Sequence, residues 1–207
     1  MDVLFASLLF SLEESETYIY KLFLLIEFML LIIDNGVGAE EIARMIRISH
    51  EVVKPSGAAG TKAAGYILTD GSDSQKNANI EIINNSKVPV LAIGAGCAFL
   101  AEAFDSVVKK GPKVERMEIL KIERPGPLVA DMKRNFSVYD SYTWKIEEMT
   151  ENFDVVARSP KYDFEVIMDM ENPFFGVHFA PWKGGDGMMV LQNFVKFVEV
   201  WEKYHRG

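Results

Sequence analysis

From Met29 onward the apolar residues come in short runs, each ended by a turn signal. MLLIID stops at Asn35-Gly36, HEVVK stops before Pro55, GYILT stops at Asp70-Gly71, and VPVLAI stops at Gly94. Runs of this length, bounded by Gly, Pro, Asn and Asp, predict strands. Between them lie segments with helical spacing: GAEEIARMIR, whose Ile42, Met45 and Ile46 share a face, then NANIEIINN, then AGCAFLAEAF. This βα alternation predicts a mainly parallel sheet covered by helices, and VPVLAI is apolar enough for burial on both faces. In such sheets ligand chemistry collects at the carboxyl ends of the strands, which is where the turn after VPVLAI falls.

Past Lys109 the pattern changes. KVERMEILKI, NFSVYDSYTWKI, FDVVARS, FEVIMDM and FFGVHFA are short alternating or apolar runs, read as antiparallel additions or edge strands on the same sheet. GMMVLQNFVKFVEVWEKYH places Val190, Phe194, Phe197 or Val198 and Trp201 at helical spacing and predicts a closing helix of core character. Residues 29–207 thus read as one domain. Residues 1–28 read as an N-terminal extension in which Leu4, Phe5, Leu8, Leu9 and Leu12 form one stripe, and such a face needs a partner surface. That surface belongs either to the same chain or to a second copy, which would make the extension an association element of a homo-oligomer. The apolar stretch from Tyr18 to Ile33 is interrupted by Lys21 and Glu27 and falls short of the roughly 20 residues a spanning helix needs, so no membrane partner is expected. The acidic start, with Asp2, Glu13, Glu14 and Glu16, does not fit a secretory signal.

Composition narrows the function classes. The 207 residues suit one substantial α/β domain. A formal charge of -8, from 22 basic and 30 acidic residues, sets net repulsion against a phosphate backbone and removes nucleic acid from the expected partners. The single cysteine, Cys97, excludes an internal disulfide framework and a cysteine-cluster metal site, and suits a reducing compartment, the cytoplasm by default. His50, His178 and His205 are too scattered to predict a metal site, and no cofactor is called for.

Four landmarks together resemble the class I glutamine amidotransferases, and within them the small glutaminase subunit of archaeal GMP synthases. MLLIIDNG is similar to the first strand and turn, GYILTDGSD to the strand carrying a Ser-Gly-Gly-Pro oxyanion loop, VPVLAIGAGCAFLAEAF to the nucleophile elbow with its helix, and FFGVHFAPW to the strand with the catalytic His-Pro-Glu. The resemblance implies a three-layer, flavodoxin-like α/β fold with antiparallel additions. It also implies a chemistry that this chain departs from. The family's elbow, Gly-x-Cys-x-Gly-His-Gln, becomes Ala92-Ile93-Gly94-Ala95-Gly96-Cys97-Ala98, so Gly94 stands at the nucleophile position. The family's Gln-Phe-His-Pro-Glu becomes His178-Phe179-Ala180-Pro181-Trp182, so Ala180 stands for the general base and Trp182 for the orienting carboxylate. Amide hydrolysis by this route needs a thiolate, a base and an acid. All three are replaced, and no ordinary glutaminase activity is expected.

The supporting positions depart too. Thr69-Asp70-Gly71-Ser72 replaces the oxyanion loop, and with Ala95 forms a degenerate oxyanion site; an inward Asp70 would oppose developing negative charge there. The family's Ser-His segment facing the substrate falls at Asp140-Ser141-Tyr142. Cys97 lies one helical turn past Gly94, and His178 shares a strand face with Ala180, so Cys97, His178 and Tyr142 form a candidate alternative site, with Asp70 as a further group. The bland reading makes Cys97 packing in a helix-sheet seam and His178 a hydrogen-bonded strand-end residue. Gly94-Ala95-Gly96 begins a dinucleotide-type glycine pattern, but Phe99 stands at its third glycine. Gly184-Gly185-Asp186-Gly187 predicts a loop before the last helix, at whose N-terminal amides an anion can be received.

Three functions follow from these readings. The leading one is an amidotransferase-like domain without glutaminase chemistry, working through binding, docking or regulation with a synthase-type or other protein partner. In it Trp182, Tyr142 and Phe179 either cap a small ligand or close the empty cleft. The second is an enzyme of changed chemistry built on Cys97, His178 and Asp70, which requires these groups to converge around an open pocket. The third is structural homo-oligomerisation through the N-terminal extension.

Overall fold

The computed structural model describes residues 29–58 and 61–205. The extension 1–28, with its apolar stripe and its association role, lies outside the described residues. In chain order the elements are β1 (Leu30–Ile33), β2 (Gly36–Val37), α1 (Ala39–Met45), β3 (His50–Val53), β4 (Gly65–Leu68), β5 (Asp70–Gly71), α2 (Lys76–Asn85), β6 (Val90–Ile93), α3 (Ala95–Ala103), β7 (Val107–Ile122), β8 (Asn135–Glu148), β9 (Phe153–Arg158), β10 (Val166–Asp169), β11 (Phe174–Val177) and α4 (Gly187–His205).

Nine strands form one sheet in the order β3-β1-β4-β6-β11-β10-β9-β7-β8. Pairings from β3 across to β11 are parallel, and those from β11 to β8 are antiparallel. The expected mainly parallel core with antiparallel additions is therefore present, with one difference. FFGVHFA, read as an antiparallel addition or edge strand, supplies β11, which lies inside the sheet, parallel to β6 and antiparallel to β10. Its burial explains the placement: Phe174, Phe175 and Val177 are all buried, as a strand covered on both faces requires.

Side-chain alternation along the strands divides the core into two layers. Leu30 and Ile32 of β1 face Ile42 of α1 and Val190, Phe194 and Val198 of α4. Leu31 and Ile33 face the other way, toward Ile83 of α2 and Leu100 of α3. All four β1 residues are fully buried, each contributing roughly 1.5–3 kcal/mol relative to exposure. The helix predicted from GMMVLQNFVKFVEVWEKYH is present as α4, with its Val190, Phe194 and Val198 stripe against the sheet. Asn193 on the same helix donates to the carbonyls of Leu128 and Ala130, at 3.0 and 2.9 Å, and anchors the β7–β8 connection.

The antiparallel half curls back on the parallel half. Isolated bridges join Val138 of β8 to Gly185 and Asp140 to Phe179, so β8 closes against the chain that follows β11. Asp186 secures the same closure, its carboxylate accepting from the Ser137 N–H at 2.8 Å. Among the described residues no helix is long and apolar enough to cross a membrane.

Candidate functional site

The site begins at the turn between β6 and α3. Gly94 there has φ 59° and ψ -115°, a conformation that residues with a side chain adopt only under strain. Its N–H donates to the Val177 carbonyl of β11 at 2.9 Å, and its own carbonyl accepts from Cys97 and Ala98 at 3.1 and 3.3 Å. The bend is thus held from both sides. The first N–H groups of a helix have no partner within it, and here Asp70 provides one. Its Oδ1 accepts from Ala95 N–H at 2.8 Å and from Gly71 N–H at 2.9 Å. These are the amides that the sequence resemblance assigns to an oxyanion, and a carboxylate oxygen of the chain itself fills the place between them. A Cβ added at Gly94 would meet Asp70 Cγ at 2.6 Å and Oδ1 at 2.7 Å. The bare position at 94 and the carboxylate at 70 are therefore one coupled feature. Burial pushes the Asp70 carboxyl above its usual range, against the opposing pull of the Ala95 and Gly71 amides and of Lys113 and Lys183.

A polar network behind the turn positions Asp70. β5 pairs with β2, placing Asp70 opposite Val37. Thr69 Oγ1 donates to the Ile33 carbonyl at 2.9 Å and accepts from Asn35 N–H at 3.0 Å. Asn35 and Asn79 exchange side-chain amide hydrogen bonds of 3.0 and 2.8 Å. All three side chains are buried, so the ends of β1 and β4 and the start of α2 are tied together under the elbow. Ser72 turns outward, its hydroxyl 2.6 Å from that of Ser74.

The strip after β11 forms the opposite wall. Ala180 is buried, and its N–H donates to the Tyr139 carbonyl at 2.9 Å. The Trp182 ring packs over Gly38, the residue before α1, leaving no room for a Cβ there. It also leans on the apolar layer of α1 and α4. Lys183 then reaches across to β7 and β8, donating to Glu115 Oε1 and to Ser141 Oγ, each at 3.0 Å, with its ammonium 5.3 Å from the centre of the Tyr139 ring. Lys113 and Lys183 hold the Glu115 carboxyl down at about 2.

Cys97 and His178 do meet, with Sγ 3.4 Å from Nδ1. Tyr142 joins them, its ring centre 5.5 Å from that of His178 in an edge-on contact. Asp70 is not among them, being engaged at the elbow. The chemistry of the pair is decided by its other partners. His178 Nδ1 lies 2.9 Å from the Phe164 carbonyl, which can only accept, so Nδ1 carries the proton. The remaining nitrogen, Nε2, faces the Tyr162 hydroxyl at 3.3 Å and accepts from it. A protonated Nδ1 cannot take the thiol proton. Both side chains are fully buried. Burial raises the Cys97 thiol well above its ordinary value, with the Glu165 charge adding to the rise, and burial lowers His178 to about 3. Sγ also lies directly against Gly176, where an added Cβ would approach it to 2.5 Å. This is a neutral pair in a packed seam between α3 and β11.

Sequence reasoning brought Gly94, Ala95, Asp70 and Gly71 to one turn and missed what supports them. Thr69 was legible only as the first residue of the loop replacement and Asn35 only as part of the Asn-Gly turn, while Asn79 carried no signal. Glu115 and Lys183 are 68 positions apart, and no motif joined them. Among the described residues no group of three or more His, Cys, Asp or Glu side chains is arranged to hold a metal ion.

The sheet order, the strained turn at the end of β6 and the amide pair beside it define a class of protein, and the chain belongs to it: the sequence profile of the class-I glutamine amidotransferases matches residues 7–196. Within that family it is similar to the glutamine-hydrolyzing GMP synthase subunit of Methanocaldococcus jannaschii, 28% identical over 137 residues that make up 64% of this chain and 72% of the relative. The corresponding protein of Pyrococcus abyssi is 29% identical over 140 residues, covering 64% and 74%. The glutamine-hydrolyzing GMP synthase of Thermosipho africanus is 29% identical over 146 residues, but these span only 28% of that longer protein. The crystal structure of a putative GMP synthase subunit from Thermoplasma acidophilum superposes with a TM-score of 0.77 at 16% identity, covering 87% of this chain and 98% of that one, which supports the fold.

Proposed function

We infer that this chain is a catalytically silent amidotransferase domain that acts by binding, docking or regulation. The observation that carries this reading is Asp70, whose carboxylate lies between the Ala95 and Gly71 amides beside a Gly94 that has no side chain. In this reading Gly94, Ala180 and Trp182 are the vacated positions of nucleophile, base and orienting acid. A glycine, an alanine and a tryptophan offer no nucleophile, no proton acceptor and no carboxylate, so the acyl-thioester route has no first step. The partner is a synthase-type protein or another protein accepting the same face, in keeping with relatives named for one subunit of GMP synthase. The compartment is the cytoplasm, no cofactor takes part, and the extension 1–28 is the candidate element for homo-oligomerisation.

A rival reading, an enzyme of changed chemistry, draws on the 3.4 Å approach of Cys97 to His178. The proton on Nδ1, the raised thiol and the complete burial of both groups weigh against it. One assay separates the two: ammonia release from glutamine by the intact chain, alone and with cell extract, compared with Cys97→Ala. The silent reading expects no release above the protein-free rate in either form. Robust release that disappears in Cys97→Ala would put the changed-chemistry reading in its place.

A further inference from the structure

A groove away from the elbow runs between the end of α1 and the outer face of α4. Met45 and Ile48 form one wall and Leu191 and Val195 the other, around an open volume of about 380 Å³. Met188 shares the face of Val195 at i, i+7 spacing, is 41% exposed, and prolongs the apolar strip along α4. Arg47 and Lys196 stand exposed at the rim, and neither forms an ion pair with a described residue. Glu199 is the acidic member of the lining, so the rim keeps a positive balance. Apolar walls under a basic rim fit an amphipathic segment of opposite charge.

The chain itself supplies such a segment. Residues 1–20 contain no Lys or Arg and four acidic residues, Asp2, Glu13, Glu14 and Glu16. Leu4, Phe5, Leu8, Leu9 and Leu12 recur at helical spacing, and the glutamates follow directly. The root of the extension also lies beside the groove: Leu30 N–H donates to the Ser49 carbonyl at 3.0 Å, and Ser49 follows Ile48 of the wall. Two copies facing each other through α1 and α4 therefore bring each extension next to the other's groove, and one set of contacts is made twice. Met189 and Val200, 40% and 54% exposed on α4, lie outside the groove lining. An apposed second copy covers them together with the groove, which a segment of the same copy seated in the groove does not. Copies with a formal charge of -8 repel, and an acidic segment against a basic rim reverses the local sign.

We propose that the groove between α1 and α4 receives the extension of a second copy, with the Leu4, Leu8 and Leu12 stripe on its apolar walls and Glu13, Glu14 and Glu16 against Arg47 and Lys196. The two copies exchange their extensions about a two-fold axis. This rests on the reading of residues 1–28 as an association element and adds the surface that receives it.

Charge reversal tests it on the full chain by analytical ultracentrifugation. One variant carries Arg47→Glu with Lys196→Glu, the other Glu13→Lys with Glu14→Lys. Each alone should dimerise about tenfold more weakly than the native chain, and an equal mixture should recover dimers of mixed composition, because every groove then meets an extension of opposite sign. Native-strength dimers of both variants would overturn the groove while leaving the extension as an association element. Variants that stay monomeric when mixed would overturn the exchange between copies. A native chain that is monomeric throughout would overturn the association reading and this inference with it. Should the variants not fold, carboxyl-to-amine cross-linking of native chains mixed from light and heavy isotope preparations decides. A link from Glu13 or Glu14 to Lys196 that joins the two labels supports the proposal, and its absence between labels overturns it.

Discussion

Two pairs of residues flank the turn between β6 and α3, and they contrast in what proximity means. Cys97 and His178 are the reactive types of a cysteine hydrolase, and they approach to 3.4 Å. Yet the pair is buried, the imidazole proton is on the nitrogen nearest the thiol, and the thiol is raised well above its ordinary value. Gly94 and Asp70 have no catalytic composition at all. Around them, however, stand a strained bend and two convergent amides, with the Asp70 carboxylate between them. Reactive residue types in contact do not make a site, and convergent amides can be satisfied by a side chain of the chain itself. What decides each case is where the protons and the amide donors point.

The largest predicted effect breaks the second pair. Gly94→Cys would drive Cβ into the Asp70 carboxylate, and denaturant unfolding should show a loss of about 3 kcal/mol or more. Adding Asp70→Gly to that variant should recover a substantial part, because the clash is with this side chain; no recovery would show that the two positions are not coupled. Asp70→Ala alone should cost about 2 kcal/mol by leaving the Ala95 and Gly71 amides without their carboxylate, and amide exchange at Ala95 should rise with it. Unaltered stability and exchange would remove Asp70 from its role as the anion stand-in.

The first pair gives an effect with a defined pH sign. His178 is held at about 3, below its ordinary 6.5, so the unfolded chain binds the proton more readily than the native one. Its contribution is fully present above the ordinary value and is lost as pH falls from there toward about 3, with a slope approaching about 1.4 kcal/mol per pH unit. His178→Asn should flatten acid unfolding over that window, and an imidazole signal titrating near neutrality would contradict the assignment. Cys97→Ala should cost only about 1 kcal/mol, the loss of a small packed sulfur. In the native chain the thiol should react with a disulfide reagent only as fast as the protein opens, whereas rapid labelling would mean an accessible thiolate.

Much of the parallel half was legible because its strands are short apolar runs with clear stops, and Gly94 could be placed by its register after VPVLAI. The direction of Asp70 was not legible. An acidic residue in a turn usually faces solvent, and only the tie through Asn35, Thr69 and Asn79 turns it toward Ala95. The interior place of β11 was hidden because a buried four-residue strand reads alike in parallel and antiparallel surroundings. The burial of Asp140 and Glu165 was hidden as well. Asp140 is buried where its bridge to Phe179 closes β8 against the strip after β11, and Glu165 lies just before β10, where no pattern of the sequence marks it as buried.

The central proposal is that none of the described residues forms an acyl-enzyme with glutamine. Intact-mass measurement after incubation of the full chain with an electrophilic glutamine analogue addresses it directly. The predicted result is a single unmodified mass, even after long exposure under native conditions. A stoichiometric adduct mapped to Cys97, absent in Cys97→Ala, would contradict it.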